Sequence, residues 1–193
     1  MPNLTTPANI FEHTIDVLAN YDTTPGHRLD KTAYMADAVT LVPYGGRVGH
    51  LNASGEWEMG CAAKKVPVFF MPPSVPYGHQ PTLSPYWQSI GRYSVTGLVA
   101  TGGFEIETTE YDSEQDFVVG DWLTAKVSNT DQDTGGVLTN VVPGTSTALT
   151  APWAAGGTTK TLCGQVTHAP QTRKNGNSVL AFWTVFFPGT TDA

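Results

Sequence analysis

The run Val179-Leu180-Ala181-Phe182-Trp183-Thr184-Val185-Phe186-Phe187 is apolar except at Thr184. Its β-branched and aromatic residues fit a pleated sheet. It is too short to span a bilayer. It also lacks the polar alternation of a strand with one wet face. The run therefore reads as a strand covered on both sides, by the core on one and by a neighbouring element or another subunit on the other. Any fold for this chain has to be a β fold built around it.

The rest of the chain supplies the partners, as short extended segments cut by Gly and Pro. Strands are expected at Val39–Val42, Arg47–Leu51, Glu56–Met59, Val66–Met71, Ser94–Ala100 and Phe104–Tyr111. Further ones follow at Phe117–Val127, with an interruption at Gly120-Asp121, then at Val137–Val142 and Thr161–His168. Asn52-Ala53-Ser54-Gly55 reads as a hairpin loop, and Arg173–Asn177 as the turn before the last strand. The fold class is mainly β: a small β-barrel or sandwich of short antiparallel strands with an N-terminal arm.

Residues 1–30 form that arm. Thr6-Pro7 is a helix-start signal, after which Phe11, Ile15 and Leu18 share one helical face. The β-branched Thr14, Ile15 and Val17 argue for an extended arm instead. Residues 31–193 make the β domain. Within it, residues 72–93 form a Pro-rich loop carrying Tyr77, Tyr86, Trp87 and Tyr93, too long for an ordinary connection. Such aromatics serve equally as an interface, stacking on sugars or plugging a protein groove, and as a lid on the protein's own core.

Charge narrows the partners. The formal net charge is −7, and the only paired cations are Lys64-Lys65 and Arg173-Lys174, each read as a solvated turn. Nucleic acid is not an expected partner, because phosphate binding needs clustered cations. No apolar run reaches membrane-spanning length, so no membrane partner is expected either. The first residues lack a signal-peptide layout, and cytoplasmic synthesis is expected. Cys61 and Cys163 lie in apolar surroundings and read as buried free thiols.

Catalytic and metal chemistry find little support. His13, His27, His50, His79 and His168 stand in no ligand spacing, so no metal or cofactor is expected. Asp131-Gln132-Asp133-Thr134-Gly135 opens like a calcium loop, but Val142 stands where the closing Glu belongs, and a polar turn is the simpler reading. No Ser sits in a Gly-x-Ser-x-Gly frame. Glu105, Glu107, Glu110, Asp112, Glu114 and Asp116 form an acidic stretch. Alternation puts Phe104, Ile106 and Thr108 on one face and Glu105 and Glu107 on the other, which reads as solvated surface charge. No catalytic residue is assigned. A hydrolase using Glu105, Glu110 or Asp116 stays open as an alternative.

Three stretches together carry a resemblance: Val42 to Trp57, including Tyr44-Gly45-Gly46-Arg47 and Asn52-Ala53-Ser54-Gly55; Val118-Val119-Gly120-Asp121-Trp122-Leu123-Thr124-Ala125; and Cys163-Gly164-Gln165-Val166-Thr167 with Leu180 to Pro188. In this order they resemble the head decoration, or cement, proteins of tailed bacteriophages. The resemblance implies a small, often trimeric β-barrel on the capsid exterior, assembled in the host cytoplasm and bracing the major capsid protein. It carries no catalytic signature. Ile10, Phe11, Ile15 and Leu18 of the arm, with Tyr77, Tyr86 and Trp87 of the loop, are the expected capsid or subunit contacts. A phage tail or fibre component, or a carbohydrate- or receptor-binding β module, is the alternative.

Overall fold

The computed structural model describes residues 15–20, 30–40, 44–71, 94–99, 102–154, 159–174 and 176–193. Among the described residues every regular element is a strand. They are β1 (Ile15–Asn20), β2 (Asp30–Tyr34), β3 (Val48–Leu51), β4 (Trp57–Met59), β5 (Val68–Phe70), β6 (Ser94–Val99), β7 (Gly102–Thr108), β8 (Trp122–Ala125), β9 (Leu138–Thr139), β10 (Leu162–Thr172) and β11 (Ser178–Phe187). Two antiparallel sheets result. The larger runs β1-β7-β11-β10-β8-β9, the smaller β2-β6-β5-β3-β4.

β11, the most apolar segment, is central in the larger sheet, between β7 and β10. Leu180 and Phe182 point into the core. Val179 and Ala181, on the opposite face, are also buried. The expected double burial therefore holds over Val179–Phe182. It fails beyond, where Trp183 and Val185 to Phe187 are half-buried.

The smaller sheet curls towards closure. Met35 bridges Trp57 in parallel, and the Ala36 amide donates to the Trp57 carbonyl at 2.9 Å, which brings the end of β2 to β4. Pairing the edges in this way removes the exposed donors and acceptors that invite aggregation. Met35, Trp57, Met59, Val68, Phe70 and Val95 gather inside the curl. The Trp57 indole N–H donates to the Val95 carbonyl at 2.9 Å, which satisfies the one polar atom of that ring. Gly49 is required on β3 because the Phe70 ring occupies the space a Cβ would take, with the Glu58 carbonyl 2.8 Å from it.

The main core lies between the sheets. Val48, Phe69 and Leu98 come from the smaller sheet, and Ile106, Leu123, Val166, Leu180 and Phe182 from the larger. The Phe69 and Phe182 rings meet across it, 5.2 Å apart. This all-β architecture is the small barrel or sandwich that the sequence pattern implies.

Two local expectations change. Ile15–Asn20 is a strand paired with β7, Ile15 opposite Thr108 and Asn20 opposite Phe104, and not a helix. Its β-branched residues favour the extended form, and the unpaired edge of β7 supplies hydrogen bonds an isolated short helix lacks. Val39 and Thr40 are irregular, with the Val39 amide bonded back to the Ala36 carbonyl and the Thr40 amide to the Asn129 carbonyl.

Candidate functional site

The acidic stretch resolves into three different environments. Glu105 and Glu107 do share the outer face of β7, directly opposite Trp183 and Ala181. They are not free surface charge. The Thr167 hydroxyl donates to Glu105 at 2.8 Å, and His168 Nδ1 lies 3.5 Å from the same carboxylate oxygen. Glu107 is buried and paired with Arg173. Bulges in β10 between Val166 and Gln171 turn this side of the hairpin over β7. A cavity of about 160 Å³ opens there, bordered by Glu107, His168, Gln171 and Arg173 over Val179 and Ala181. These groups cover the second face of β11. Each carboxylate already has a cationic or hydroxyl partner, so the cluster works as a clasp between hairpin and sheet.

Glu110 is buried too. It accepts from Arg47 Nε at 2.8 Å, and each side chain is 5% exposed. Arg47 also donates to the Gly135 carbonyl at 3.1 Å and lies over the Tyr44 ring, 5.1 Å from its centroid. Only Asp112, Glu114 and Asp116 fit the reading as outer charge, Asp112 being half-buried and the other two exposed. Alternation along a strand predicts orientation; it cannot show that a distant cation folds over the outward face.

The Asp131 turn is a closed hydrogen-bonded unit. Its carboxylate accepts from Lys126 at 3.1 Å, from the amides of Asp133 and Thr134, and from the Thr134 hydroxyl. The Thr134 hydroxyl and then Lys126 hold the Asp131 carboxyl at a pKa of about 2. The acceptors a cation would need are filled by Lys126 and by donors of the turn itself.

Both cysteines are free thiols in the inter-sheet core. Burial, and then the neighbouring Cys61 thiol, push the Cys163 thiol well above its usual range. His50 is buried on β3, with Nδ1 3.0 Å from the Gly60 carbonyl and Nε2 3.5 Å from Glu58. His168 is exposed. His13, His27 and His79 lie outside the described residues. Among the described residues, no three His, Cys, Asp or Glu side chains converge as a metal site.

Among the described residues, several large apolar side chains stand exposed. Trp153 is 74% exposed, and its ring stands edge-on to Trp122 at 5.2 Å. Trp122 in turn stands edge-on to Phe187 at 5.6 Å. Val118 and Val119 are 61% and 68% exposed at the tip of a turn. Beside the curled sheet, a pocket of about 390 Å³ is lined by Leu51, Trp57, Val66, Val68 and Val99, with Lys64 and Lys65 on its border.

Of the expected contact residues, Ile15 and Leu18 lie on β1. Ile10, Phe11, Tyr77, Tyr86 and Trp87 lie outside the described residues. Trp153 and the Val118-Val119 tip escaped the sequence reading. Trp153 sits in a Gly/Thr/Ala-rich loop, and Val118-Val119 looked like the start of a strand. The signal available for the latter was the Gly120-Asp121 pair, a turn marker that leaves the preceding valines unpaired. In comparisons with known proteins, no family model, no curated protein and no solved structure matches the chain.

Proposed function

We propose that this protein is a non-catalytic virion component, a decoration protein that binds the outside of a tailed-phage capsid and braces contacts between major capsid subunits. The observation that carries the reading is Trp153, a large aromatic side chain held mostly in solvent beside Trp122, which in turn packs on Phe187. Exposed aromatics on rigid supports are the usual energetic anchors of protein interfaces. The order of sequence motifs and the acidic charge favour the capsid exterior over its DNA-lined interior. A homo-oligomer, a trimer by the resemblance, assembled in the host cytoplasm, fits the same reading.

The test adds purified protein to undecorated capsids of the virus that encodes it. Stoichiometric binding and a rise in the shell's melting temperature are expected, and Trp153→Ala should weaken both. Capsids that neither bind the protein nor gain stability would overturn the proposal. A second reading has support from the same residue: an exposed indole face also stacks on sugars, as in a fibre or receptor-binding module. Glycan binding that is lost in Trp153→Ala, without capsid binding, would select it.

A further inference from the structure

The turn Val118–Asp121 is unusual in offering two branched apolar side chains at its tip. It is also rigid. The Val118 amide donates to Asp121 Oδ2 at 3.0 Å, the Asp121 amide returns to the Val118 carbonyl at 3.1 Å, and the Gly120 amide donates to the Val166 carbonyl of β10 at 2.9 Å. Gln165 Nε2 holds the Gly120 carbonyl from the side at 3.1 Å. Gly120 has φ +96°, a left-handed conformation that glycine takes without strain. Just before the tip come the exposed carboxylates Glu114 and Asp116. The result is a fixed knob, apolar at its end and acidic at its base.

The pocket beside the curled sheet has the opposite character. Leu51, Val66, Val68 and Val99 make it apolar, and Val66 is 39% exposed within it. Lys64 and Lys65 stand on its border as exposed cations in a chain of net charge −7. Among the described residues neither ammonium has a carboxylate partner. Lys64 has φ +58°, where glycine or asparagine is the usual choice. Its turn is held by the Lys65 amide on the Ala62 carbonyl, the Lys64 amide on the Gly189 carbonyl and the Ala63 amide on Asp192 Oδ1. A lysine kept in a conformation that costs backbone energy points to a use for its charge.

We propose that the socket receives the knob of a second copy of this chain, Val118 and Val119 entering the apolar pocket and Glu114 and Asp116 meeting Lys64 and Lys65. The knob leads into β8 of the larger sheet and the socket belongs to the smaller one, so the contact joins unlike surfaces. A head-to-tail contact of this kind closes into a ring when its rotation allows, which is how a cyclic trimer would be built. The preformed knob loses little conformational freedom on docking, and the charges fix its direction. The proposal deepens the reading of the protein as a homo-oligomeric shell component, but it is tested on the free chain alone.

Sedimentation of the full chain across a concentration series, up to about 100 µM, reads the contact directly. The wild type should associate into one closed species. Val118→Ser with Val119→Ser should weaken association at least tenfold with an unchanged melting temperature, since both side chains are exposed. Lys64→Glu with Lys65→Glu should weaken it similarly, as should Glu114→Lys with Asp116→Lys. The chain carrying both charge reversals should return to near wild-type association. A wild type that remains monomeric, serine variants that associate normally, or charge reversals that add instead of cancelling would each overturn the proposal. Capsid binding by a chain that stays monomeric would spare the decoration reading and reject only this contact.

Discussion

Arg47 and Glu110, sixty-three positions apart, form a buried ion pair with Nε 2.8 Å from Oε2. One stands immediately before β3 of the smaller sheet and the other just after β7 of the larger. The pair therefore fastens the two sheets at one corner, and the Arg47 bond to the Gly135 carbonyl extends the link to the turn before β9. Removing one partner leaves a buried charge without a counter-ion. Arg47→Met or Glu110→Leu should each cost about 3–5 kcal/mol. The double replacement should recover a large part of that loss. Denaturant titration of the four proteins closes the cycle; two single losses that simply add would show that the pair is not coupled.

Gly49 is expected to be intolerant of even a methyl group. A Cβ there collides with the Phe70 ring and comes within 2.8 Å of the Glu58 carbonyl. The ring is fully buried, so it has little room to yield. Gly49→Ala should destabilise by about 1–3 kcal/mol, the usual cost of overpacking. Gly55, whose Cβ would meet nothing, is the control for space, although its φ of +76° makes substitution there a matter of backbone strain. A thermal melt of Gly49→Ala indistinguishable from wild type would contradict the close packing of β3 on β5.

The two thiols should be silent in the native state. Cys61 and Cys163 are buried, and the Cys163 thiol is held protonated by desolvation and by its cysteine neighbour. A thiol-reactive chromophore at neutral pH should label neither cysteine until the protein is unfolded, when two equivalents react. Fast labelling of either residue in the folded protein is the outcome that would refute this.

Asp131 sets a small acid dependence with a definite sign. Its folded pKa of about 2 lies below the ordinary aspartate value of 3.8. The contribution is present in full above the unfolded pKa and is lost as pH falls from about 4 through about 2. The side chain is more than a third exposed, so solvent and salt screen much of the effect. Asp131→Asn should lower stability by a small, constant amount from about pH 4 up to neutrality, and the gap to wild type should close as pH falls from about 4 through about 2. A difference that instead grew as pH fell from about 4 would reverse the assignment.

Trp153→Ala separates stability from docking. The side chain is mostly in solvent, so the melting temperature should move little, within the range of ordinary surface changes of about 0.5 kcal/mol. A large stability loss in isolated protein would mean that Trp153 serves the fold and not a partner.

The sequence by itself determined the fold class and most strands, because alternation and turn chemistry are local. Val179–Phe187 announced the central strand, Asn52–Gly55 the β3–β4 hairpin loop and Arg173–Asn177 the last turn. Cys61 and Cys163 read as buried from their apolar neighbours alone, and the structure keeps them so. Only the tertiary structure decided what covers each face. Glu107 alternates outward, yet Arg173 is brought over it by the bulged hairpin; Glu110 meets Arg47 only because two sheets pack. Ile15–Asn20 had residues suited to either form, and the free edge of β7 settled it as a strand. The surface knob and socket are likewise invisible in one dimension. Exposure is a property of what the rest of the chain leaves uncovered, and no local pattern encodes that.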